Sequence, residues 1–339
     1  MYNNFSEFVK THKNICVIQA ENPDGDSLGS ALSLEALLKD NVISLYCPVD
    51  IPKYLRYFKD WSRVTNEFNY GADAYIIVDT AAQVLLSKLL EDGAIQNSLE
   101  EKPVFVLDHH ETADDLPFSH ESIIETLPAC CSLIYKIAKD QNFEINQDTA
   151  EYLYQGISSD TLGFTTPTVE AGTFRDIAEL VDLGVNVSQL EENRKEFMKK
   201  SQRILDYKAD LIKRIEYNLD GKLATIHIPW DDIREFSDEY NPNVLILEEM
   251  RMVEGVEVAI AIKTYPDGKV TGKIRSSIPI AEDVAKYFGG GGHPYAAGFR
   301  TYDTTYEETV QDLIGCCNDL IEQYEKDNPT AESTFIGSF

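Results

Sequence analysis

Short apolar runs alternate with amphipathic stretches through the first half of the chain. The runs at 15–19, 43–46, 74–78 and 104–107 have the length of buried strands, whereas the segments at 27–39, 84–90, 131–140 and 146–158 have helical apolar spacing. Ser27 is the expected N-cap of the first of these helices. Strands that alternate with helices form a mostly parallel sheet with helices on both faces. We therefore predict an α/β domain over residues 1–187.

The second half of the chain has a different pattern. Strand-like runs at 222–228, 256–262 and 270–276 are separated by a turn at 266–268, and a closing helix with period 3.6 covers 310–324. This order predicts a smaller α+β domain over residues 218–326. Residues 188–217 are charged and lack Gly and Pro, so we expect a single long helix that links the domains. Residues 327–339 form a polar tail.

The charge balance limits the class of partner. Thirty basic and 58 acidic side chains give a net charge of −28, which argues against a protein that holds long duplex nucleic acid or docks on anionic membranes. Apolar runs are far shorter than the roughly 20 residues of a membrane span, and residues 1–14 do not resemble a signal peptide. The six cysteines lack metal-site spacing and suit a reducing compartment. We expect a cytoplasmic protein.

Acidic and histidine side chains follow the predicted strands of the first domain. Asp24 and Asp26 come after the strand at 15–19, Asp79 after the strand at 74–78, and an Asp-His-His triplet at 108–110 after the strand at 104–107. Asp160 follows a predicted helix. Groups beyond the carboxyl ends of the strands become neighbours in an open α/β sheet. Carboxylates with an imidazole suit Mn²⁺ or Mg²⁺, and a bridging Asp79 would hold two ions roughly 3.5–4 Å apart.

A glycine-rich segment in the second domain predicts an anion-binding loop. Gly289–Gly292 is followed directly by His293, and four consecutive glycines are costly in backbone entropy unless the main chain approaches a ligand closely. Arg275 and Ser276 end a predicted strand nearby in sequence, and Arg can hold a phosphate through two parallel hydrogen bonds. Residues 263–275 carry four basic side chains and one acidic, which suits a short anionic substrate.

Together these segments resemble the DHH phosphoesterase superfamily, whose name comes from the triplet seen here at 108–110. The layout is most similar to the branch of nanoRNases and phosphatases of 3′-phosphoadenosine 5′-phosphate (pAp), and the resemblance covers nearly the whole chain. Six segments occur in the family's order and approximate spacing: NPDGDSLGS at 22–30, the Asp at 79, LDHH at 107–110, SDTLGF at 159–164, IRSS at 274–277 and GGGGHPYAAG at 289–298.

The resemblance implies a metal-bearing DHH domain, a DHH-associated domain that binds substrate across a cleft, and two Mn²⁺ ions. By this resemblance, Asp24 and Asp79 would serve one ion, and His110 would contact substrate and position the scissile phosphate. The second ion would be held by Asp26, Asp79, His109 and Asp160. A terminal phosphate or nucleotide end would be held by Arg275, Ser276, Gly289, Gly290, Gly291, Gly292 and His293.

One position departs from the family's pattern. The family usually reads His-x-Asn-Pro-Asp-x-Asp, and its His is a ligand of the first metal, whereas this chain has Ala20 there. Water or substrate would fill the position, Glu21 or Gln19 would replace the ligand, or the site would be weak.

The resemblance implies a phosphoesterase that acts on short oligoribonucleotides, dinucleotides or pAp and releases nucleoside monophosphates. An alternative within the same class of enzyme is a cyclic-di-AMP phosphodiesterase. The alternative is a non-catalytic nucleotide-binding protein, because Ala20 removes a ligand. A family II inorganic pyrophosphatase is disfavoured, since its Ser-Arg-Lys-Lys-Gln segment is absent and the glycine-histidine segment is present. The sequence leaves the substrate, the metal and a homodimeric state open.

Overall fold

The computed structural model describes residues 2–110, 114–302 and 304–329. The chain divides into two compact units, Met1–Lys199 and Lys200–Phe339. Within the described ranges, no helix is both long enough and apolar enough to cross a membrane.

Six parallel strands form the sheet of the first unit, in the order β3-β2-β1-β4-β5-β6. They are β1 (Asn14–Ile18), β2 (Val42–Tyr46), β3 (Val64–Thr65), β4 (Ala74–Val78), β5 (Val104–Asp108) and β6 (Glu121–Ile124). The three central strands are nearly continuous apolar runs, as expected of strands buried on both faces. Ile18 pairs with Ile77 and Val78 with Leu107, so these three strands end at one level.

Helices cover both faces of this sheet, because alternate residues of each strand face opposite sides. The helices are α1 (Asn3–Thr11), α2 (Gly25–Leu37), α3 (Ser87–Glu91), α4 (Gly93–Glu101), α5 (Cys130–Asp140), α6 (Gln147–Asp160), α7 (Ala171–Asp182) and α8 (Val187–Phe197). Val17 packs in the core shared with α1, α2, α5 and α6, and its neighbour Ile18 packs with α3 and α4. The predicted α/β class is confirmed.

The second unit contains a mixed sheet in the order β11-β12-β10-β9-β8-β7, in which only β8 and β9 run parallel among the described pairs. The strands are β7 (Glu216–Asn218), β8 (Leu223–Ile228), β9 (Val258–Thr264), β10 (Val270–Ser276), β11 (Gly291–His293) and β12 (Ala296–Thr301). Its helices are α9 (Gln202–Lys213), α10 (Trp230–Phe236), α11 (Pro242–Arg251), α12 (Ala281–Tyr287) and α13 (Tyr306–Asp327). The predicted α+β class of this part is also confirmed.

The predicted single linker helix over 188–217 is wrong. Helix α8 ends at Phe197 and α9 begins after Ser201, whose side chain accepts the N–H of Ile204 and caps the new helix. Leu211 of α9 is fully buried in the core of the second unit, so α9 packs there and does not continue α8. The segment reads as one helix because it lacks Gly and Pro, and the N-cap serine was the missed signal. The bounds 1–187 and 218–326 stay predictions.

The closing helix predicted from the 3.6-residue period is confirmed as α13, which ends at Asp327. Its buried side chains include Val310, Leu313, Cys317 and Ile321, which recur at three- and four-residue steps on one face. The predicted polar tail over 327–339 lies outside the described residues from 330 onward.

Candidate metal centre and anion-binding surface

Acidic and imidazole groups meet where the central strands of the first sheet end. The loop after β1 carries Asp24 and Asp26, Asp79 follows β4 directly, and His109 follows β5. The strand order places β1, β4 and β5 side by side, which brings these residues together although they are far apart in sequence. Asp160 arrives from another direction, as the last residue of α6 rather than as part of the loop after it.

His109 lies at the centre of this cluster. Its Nε2 is 3.3 Å from Asp79 Oδ1, 3.6 Å from Asp160 Oδ2 and 3.8 Å from Asp26 Oδ2. The other ring nitrogen, Nδ1, lies 2.9 Å from the carbonyl oxygen of Leu127. A carbonyl oxygen can only accept a hydrogen bond, so this contact favours the tautomer with the hydrogen on Nδ1 and Nε2 unprotonated. An imidazole fixed in this way is oriented as a metal ligand.

Backbone groups at the start of α5 hold Asp26 in place. Its two carboxylate oxygens accept the N–H groups of Cys130 and Cys131, the latter at 2.9 Å. These N–H groups belong to the first turn of the helix and have no intrahelical partner, so a carboxylate is favourable there. The fully buried Asp26 is therefore fixed before any ligand binds.

The cluster concentrates negative charge in a buried place. Burial and the charge of Asp26 raise the pKa of Asp79 well above its ordinary range. Burial, followed by the charge of Asp26, raises the pKa of Asp160 to about 6. Burial also raises the pKa of Asp26 itself, although the charge of His109 opposes this. Carboxylates that disfavour one another's ionised forms would be stabilised by a cation between them.

Two observations on Asp79 show that its position is imposed by its surroundings. Its backbone lies in the left-handed region at φ 65°, a strained conformation for a residue with a side chain. Its Oδ1 is buried and has no hydrogen-bond partner in the described structure. Strain and an unpaired buried oxygen are costly, and both are typical of functional sites.

The described residues form two sets of ligand atoms that lie within 4.8 Å of one another. One set is Asp26, His109 and Asp160, and the other is Asp79, His109 and His110. Oxygen donors with imidazole nitrogen are a suitable ligand set for a divalent metal ion. The residues present thus fit the predicted dependence on a divalent metal ion.

Asp108 organises the second histidine of the triplet. Its Oδ1 accepts the backbone N–H groups of His109 and His110 and lies 2.7 Å from Nδ1 of His110. Burial works to raise the pKa of Asp108, but the hydrogen bond and charge of His110 outweigh it and lower that pKa. The same hydrogen bond raises the pKa of His110. The sequence analysis gave Asp108 no role, although an acid two residues before a histidine was a usable signal.

Neither Ala20 nor its neighbour Glu21 takes the place of the metal-binding histidine in the family's pattern. Ala20 is buried among apolar side chains, and Glu21 bonds to the hydroxyl of Ser87 and the N–H of Lys88, so Glu21 does not replace the missing ligand. Gln19 is fully buried, with both amide atoms unpaired in the described structure.

Asp24 is the N-cap of α2. Its Oδ1 accepts the N–H groups of Asp26 and Ser27, so the prediction of Ser27 as the cap is wrong. A capping box explains the error, because the hydroxyl oxygen of Ser27 accepts the backbone N–H of Asp24. Asp24 belongs to neither of the two ligand sets.

In the second unit, the sheet register places Arg275 and His293 on one face. Both residues pair with Ala296 of β12, Arg275 from β10 and His293 from β11. Residues directly opposite each other in a sheet point to the same side, so Arg275 and His293 share a face. Two strand spacings separate them, which puts their Cα atoms about 10 Å apart. His293 is exposed and Arg275 half-buried. The predicted pair is thus brought together.

The glycines at 289–292 fall into two groups according to what a side chain would meet. A Cβ on Gly290 would lie 2.3 Å from the carbonyl oxygen of Gly298, and one on Gly292 would lie 2.6 Å from that of Ala296. At these two positions the close neighbour is β12, which corrects the expectation that all four serve a ligand. Gly289 and Gly291 face open space, so their backbone is accessible to a ligand.

Ser276 supports the backbone of this surface. The residue is buried, and its hydroxyl donates to the carbonyl oxygen of Ile278 at 2.7 Å. Its N–H donates to the carbonyl oxygen of Tyr295, beside His293. The side chain therefore fixes the loop rather than presenting its hydroxyl proton to a ligand.

A cationic cavity of about 550 Å³ adjoins the same face, where the excess of basic residues at 263–275 predicted a site for a short anionic substrate. Its walls include Lys263, Lys273 and Arg300 beside Gly289–Gly291, and none of the described lining residues carries a carboxylate. Lys263 is buried and donates to Asn241 Oδ1 at 3.0 Å, and burial lowers its pKa. The local excess of basic residues at 263–275 was the signal for this cavity.

Known protein families match both halves of the chain. The model of the DHH family, N-terminal domain, matches residues 14–157, and the DHHA1 domain matches residues 233–323. The bifunctional oligoribonuclease and PAP phosphatase NrnA of Thermus thermophilus is 27% identical over 86% of this chain and 86% of its own length. A probable manganese-dependent inorganic pyrophosphatase of Enterococcus faecalis is 28% identical over 58% of this chain and 65% of its own.

The fold has a solved counterpart. An exopolyphosphatase-related protein from Bacteroides fragilis superimposes with a TM-score of 0.81 over 96% of each chain, at 19% identity. Two family models match in the order that the sequence segments predicted. The first covers Asp26, Asp79 and His109 and ends three residues before Asp160, and the second covers the glycine-rich segment at 289–298. The chain therefore contains a DHH domain followed by a DHHA1 domain.

Proposed function

We propose that the chain is a metal-dependent phosphoesterase that hydrolyses short oligoribonucleotides, dinucleotides or pAp to nucleoside monophosphates. The observation that carries the proposal is His109 Nε2 lying within 3.8 Å of an oxygen of each of three buried or half-buried carboxylates. Support comes from the NrnA of Thermus thermophilus, whose name states an oligoribonuclease and a PAP phosphatase activity.

We assign the principal cation site to Asp26, Asp79, His109 and Asp160. The unpaired, buried Oδ1 of Asp79 fits such an ion, since a cation would satisfy it. Mn²⁺ is our choice because it accepts nitrogen as well as oxygen ligands, and Mg²⁺ is the alternative. A divalent ion supplies Lewis-acid activation of water and stabilises negative charge on a phosphoryl oxygen.

His110 is our candidate for the group that contacts the scissile phosphate. Its side chain is 43% exposed and its Nδ1 is held by Asp108, which leaves Nε2 free to donate a hydrogen bond. The raised pKa of His110 favours the protonated ring. A protonated imidazole beside the reacting phosphate offsets negative charge and can give a proton to the leaving oxygen. Asp79 is assigned to the reacting centre, where its carboxylate would help to hold the cation.

For the second unit, we propose that Arg275, His293 and the open backbone at Gly289 and Gly291 bind a phosphate or nucleotide end. Arg275 offers a charged fork and exposed His293 a ring nitrogen, both on one sheet face. Ser276, Gly290 and Gly292 act by holding this surface in shape. The cationic residues Lys263, Lys273 and Arg300 raise the local concentration of a short anionic substrate.

The site of the first ion has fewer ligands in this chain than the family pattern provides. Two ions are expected from the family, but Ala20 offers no ligand and Glu21 is bonded elsewhere. This observation favours a second candidate, a protein that binds nucleotides without turnover. We prefer the enzyme because four donors of the principal site remain together.

We propose short substrates, a cytoplasmic location and no membrane partner, with a homodimer as an open expectation. The net charge of −28 opposes binding of long polyanions, and all six cysteines are free, as in a reducing compartment.

The experiment is hydrolysis by the purified chain with Mn²⁺ of pAp, a diribonucleotide, a five-residue RNA and cyclic-di-AMP. Product formation that is lost in His109→Ala and retained in the exposed-residue control Lys195→Ala supports the enzyme. Tight binding of these compounds without product supports the second candidate. A folded protein that neither binds nor cleaves any of them contradicts both.

A further inference from the structure

A cavity of 580 Å³ lies in the first unit between the end of α6, the segment around Tyr57, and α8. Its volume is within the range of small-molecule sites. Three aromatic side chains line it, Tyr57, Tyr154 and Phe164, together with the aliphatic Leu190. None of these residues has a role in the chemistry proposed above.

Gln155 gives this cavity an unsatisfied polar group. The residue lines the cavity and is 5% exposed, and its amide nitrogen has no hydrogen-bond partner in the described structure. Buried polar groups in folded proteins are nearly always paired, so an exception calls for an explanation. A ligand that offers an acceptor atom on a flat, apolar body would satisfy this donor and fill the aromatic space.

The cavity borders the acidic cluster. Ser159 lines it and directly precedes Asp160, and a Cβ on Gly25, between Asp24 and Asp26, would lie 2.3 Å from Ser159 Oγ. Ser159 therefore contacts both the cavity and the loop that carries Asp24 and Asp26.

The loop after α6 carries strain at this place. Leu162, Gly163 and Phe164 all line the cavity and all have positive φ, at 50°, 73° and 69°. Two of the three are not glycine, so their surroundings hold them in a left-handed conformation that costs free energy. Leu162 is also 75% exposed, which leaves an apolar side chain at the cavity's edge.

We propose that this cavity binds the nucleobase of the nucleotide whose phosphate lies at the metal centre. The inference rests on the proposed function and adds a specific subsite to it. The base stacks on the ring of Tyr57, and an acceptor atom on its edge receives the free N–H of Gln155. A phosphate is a poorer occupant, because Arg194, the only cation among the described lining residues, is already paired with Glu191 at 2.7 Å.

The test compares the dinucleotide pApA with two analogues in which each base in turn is replaced by hydrogen. For the wild type with Mn²⁺, we expect kcat/KM for one analogue to be lower by about tenfold or more, the usual effect of losing one stacked base. Tyr57→Leu should reduce kcat/KM for pApA by a similar factor and leave that analogue unaffected. Tyr57→Phe should retain the wild-type preference, because it keeps the ring.

Lys195→Ala is the matched control, since Lys195 pairs with the same Glu191 as Arg194 but does not line the cavity. Binding of AMP in EDTA, measured by calorimetry, should weaken in Tyr57→Leu and Gln155→Leu without any turnover. If Tyr57→Leu does not fold, Gln155→Leu is used in its place.

Equal kcat/KM for all three substrates in the wild type would overturn the base pocket and leave the proposed function standing. Absence of hydrolysis of every substrate would instead overturn the proposed function.

Discussion

Nδ1 of His110 lies 2.7 Å from Oδ1 of Asp108, an oxygen that also accepts two backbone N–H groups. Three hydrogen bonds on one buried oxygen fix the carboxylate, and through it the imidazole ring. The first residue of the triplet therefore orients the third, whereas the middle residue faces the acidic cluster.

Replacing Asp108 by Asn should reduce kcat by about 10²-fold or more, the usual contribution of a positioned acid or base. The neutral amide keeps the shape but no longer favours the protonated ring of His110. Affinity for Mn²⁺, measured by electron paramagnetic resonance, should change little, because Asp108 is outside both ligand sets. A wild-type kcat would contradict this role, as would a loss of Mn²⁺ as complete as in His109→Ala.

Asp79→Asn should make the metal-free protein more stable and remove its stabilisation by Mn²⁺. An unfolded Asp is ionised at pH 7, so the raised pKa of folded Asp79 makes its ionised form a cost to the folded state. Asn removes that cost and tolerates the left-handed backbone. We expect the melting temperature in EDTA to rise by a few °C, the shift that about 1 kcal/mol produces in a domain of this size.

The control for this measurement is Asp182→Asn, which changes an exposed carboxylate of α7. It should melt as the wild type does, with and without Mn²⁺. If metal-free Asp79→Asn melts below the wild type, then Asp79 stabilises the metal-free fold. That result would contradict the view that the buried carboxylate is a cost accepted for metal binding.

The wild type should bind about one Mn²⁺ per chain tightly, and Ala20→His should add a second ion. Histidine at this position would join Asp24 and Asp79, which lack a third ligand in the present chain. Equilibrium dialysis with metal analysis gives the stoichiometry without reference to activity. Ala20→Leu controls for the larger side chain in an apolar pocket and should stay at one ion. Two tightly bound ions in the wild type would refute the idea that Ala20 weakens the first site.

Arg275→Gln should raise KM for phosphate-terminated substrates by about tenfold or more, as expected for a lost charge-assisted hydrogen bond, with kcat changed little. Arg251→Gln is the matched control, because Arg251 is an exposed residue of α11 that pairs with Glu248. Steady-state kinetics on pAp distinguishes the two variants. An equal change in both would assign the effect to general charge.

Alanine substitution should separate the glycines that pack from those that face a ligand. Gly290→Ala forces a methyl group against the carbonyl oxygen of Gly298 and should destabilise the second unit by about 1–3 kcal/mol. Gly291→Ala meets open space, so stability should be kept and KM raised. Urea unfolding followed by kinetics measures both. A reversed order of stabilities would contradict the packing role of Gly290.

The family and the class of fold were predictable from sequence because their signals are local. The apolar runs at 15–19, 74–78 and 104–107 predict buried strands on length alone, and the polar residues directly after them share one edge of any parallel sheet. Asp26, Asp79 and His109 could therefore be grouped without coordinates. Asp160 was a weaker candidate from sequence, because it follows no strand, and its place among the ligands came from the family resemblance.

Other features depended on contacts that no local pattern records. The break between α8 and α9 rests on Leu211 packing in the second unit, and the need for glycine at 290 and 292 rests on the backbone of β12. The unpaired amide of Gln155 became visible only when its neighbours were known.

By itself, the sequence determined which chemical groups this protein has and the order in which its strands and helices occur. Only the tertiary structure decided which of those groups are paired: Asp24 and Glu21 are bonded to neighbours, while Asp79 has an unpaired oxygen. The reason is that hydrogen bonding and desolvation act over a few ångströms in space, whatever the separation along the chain.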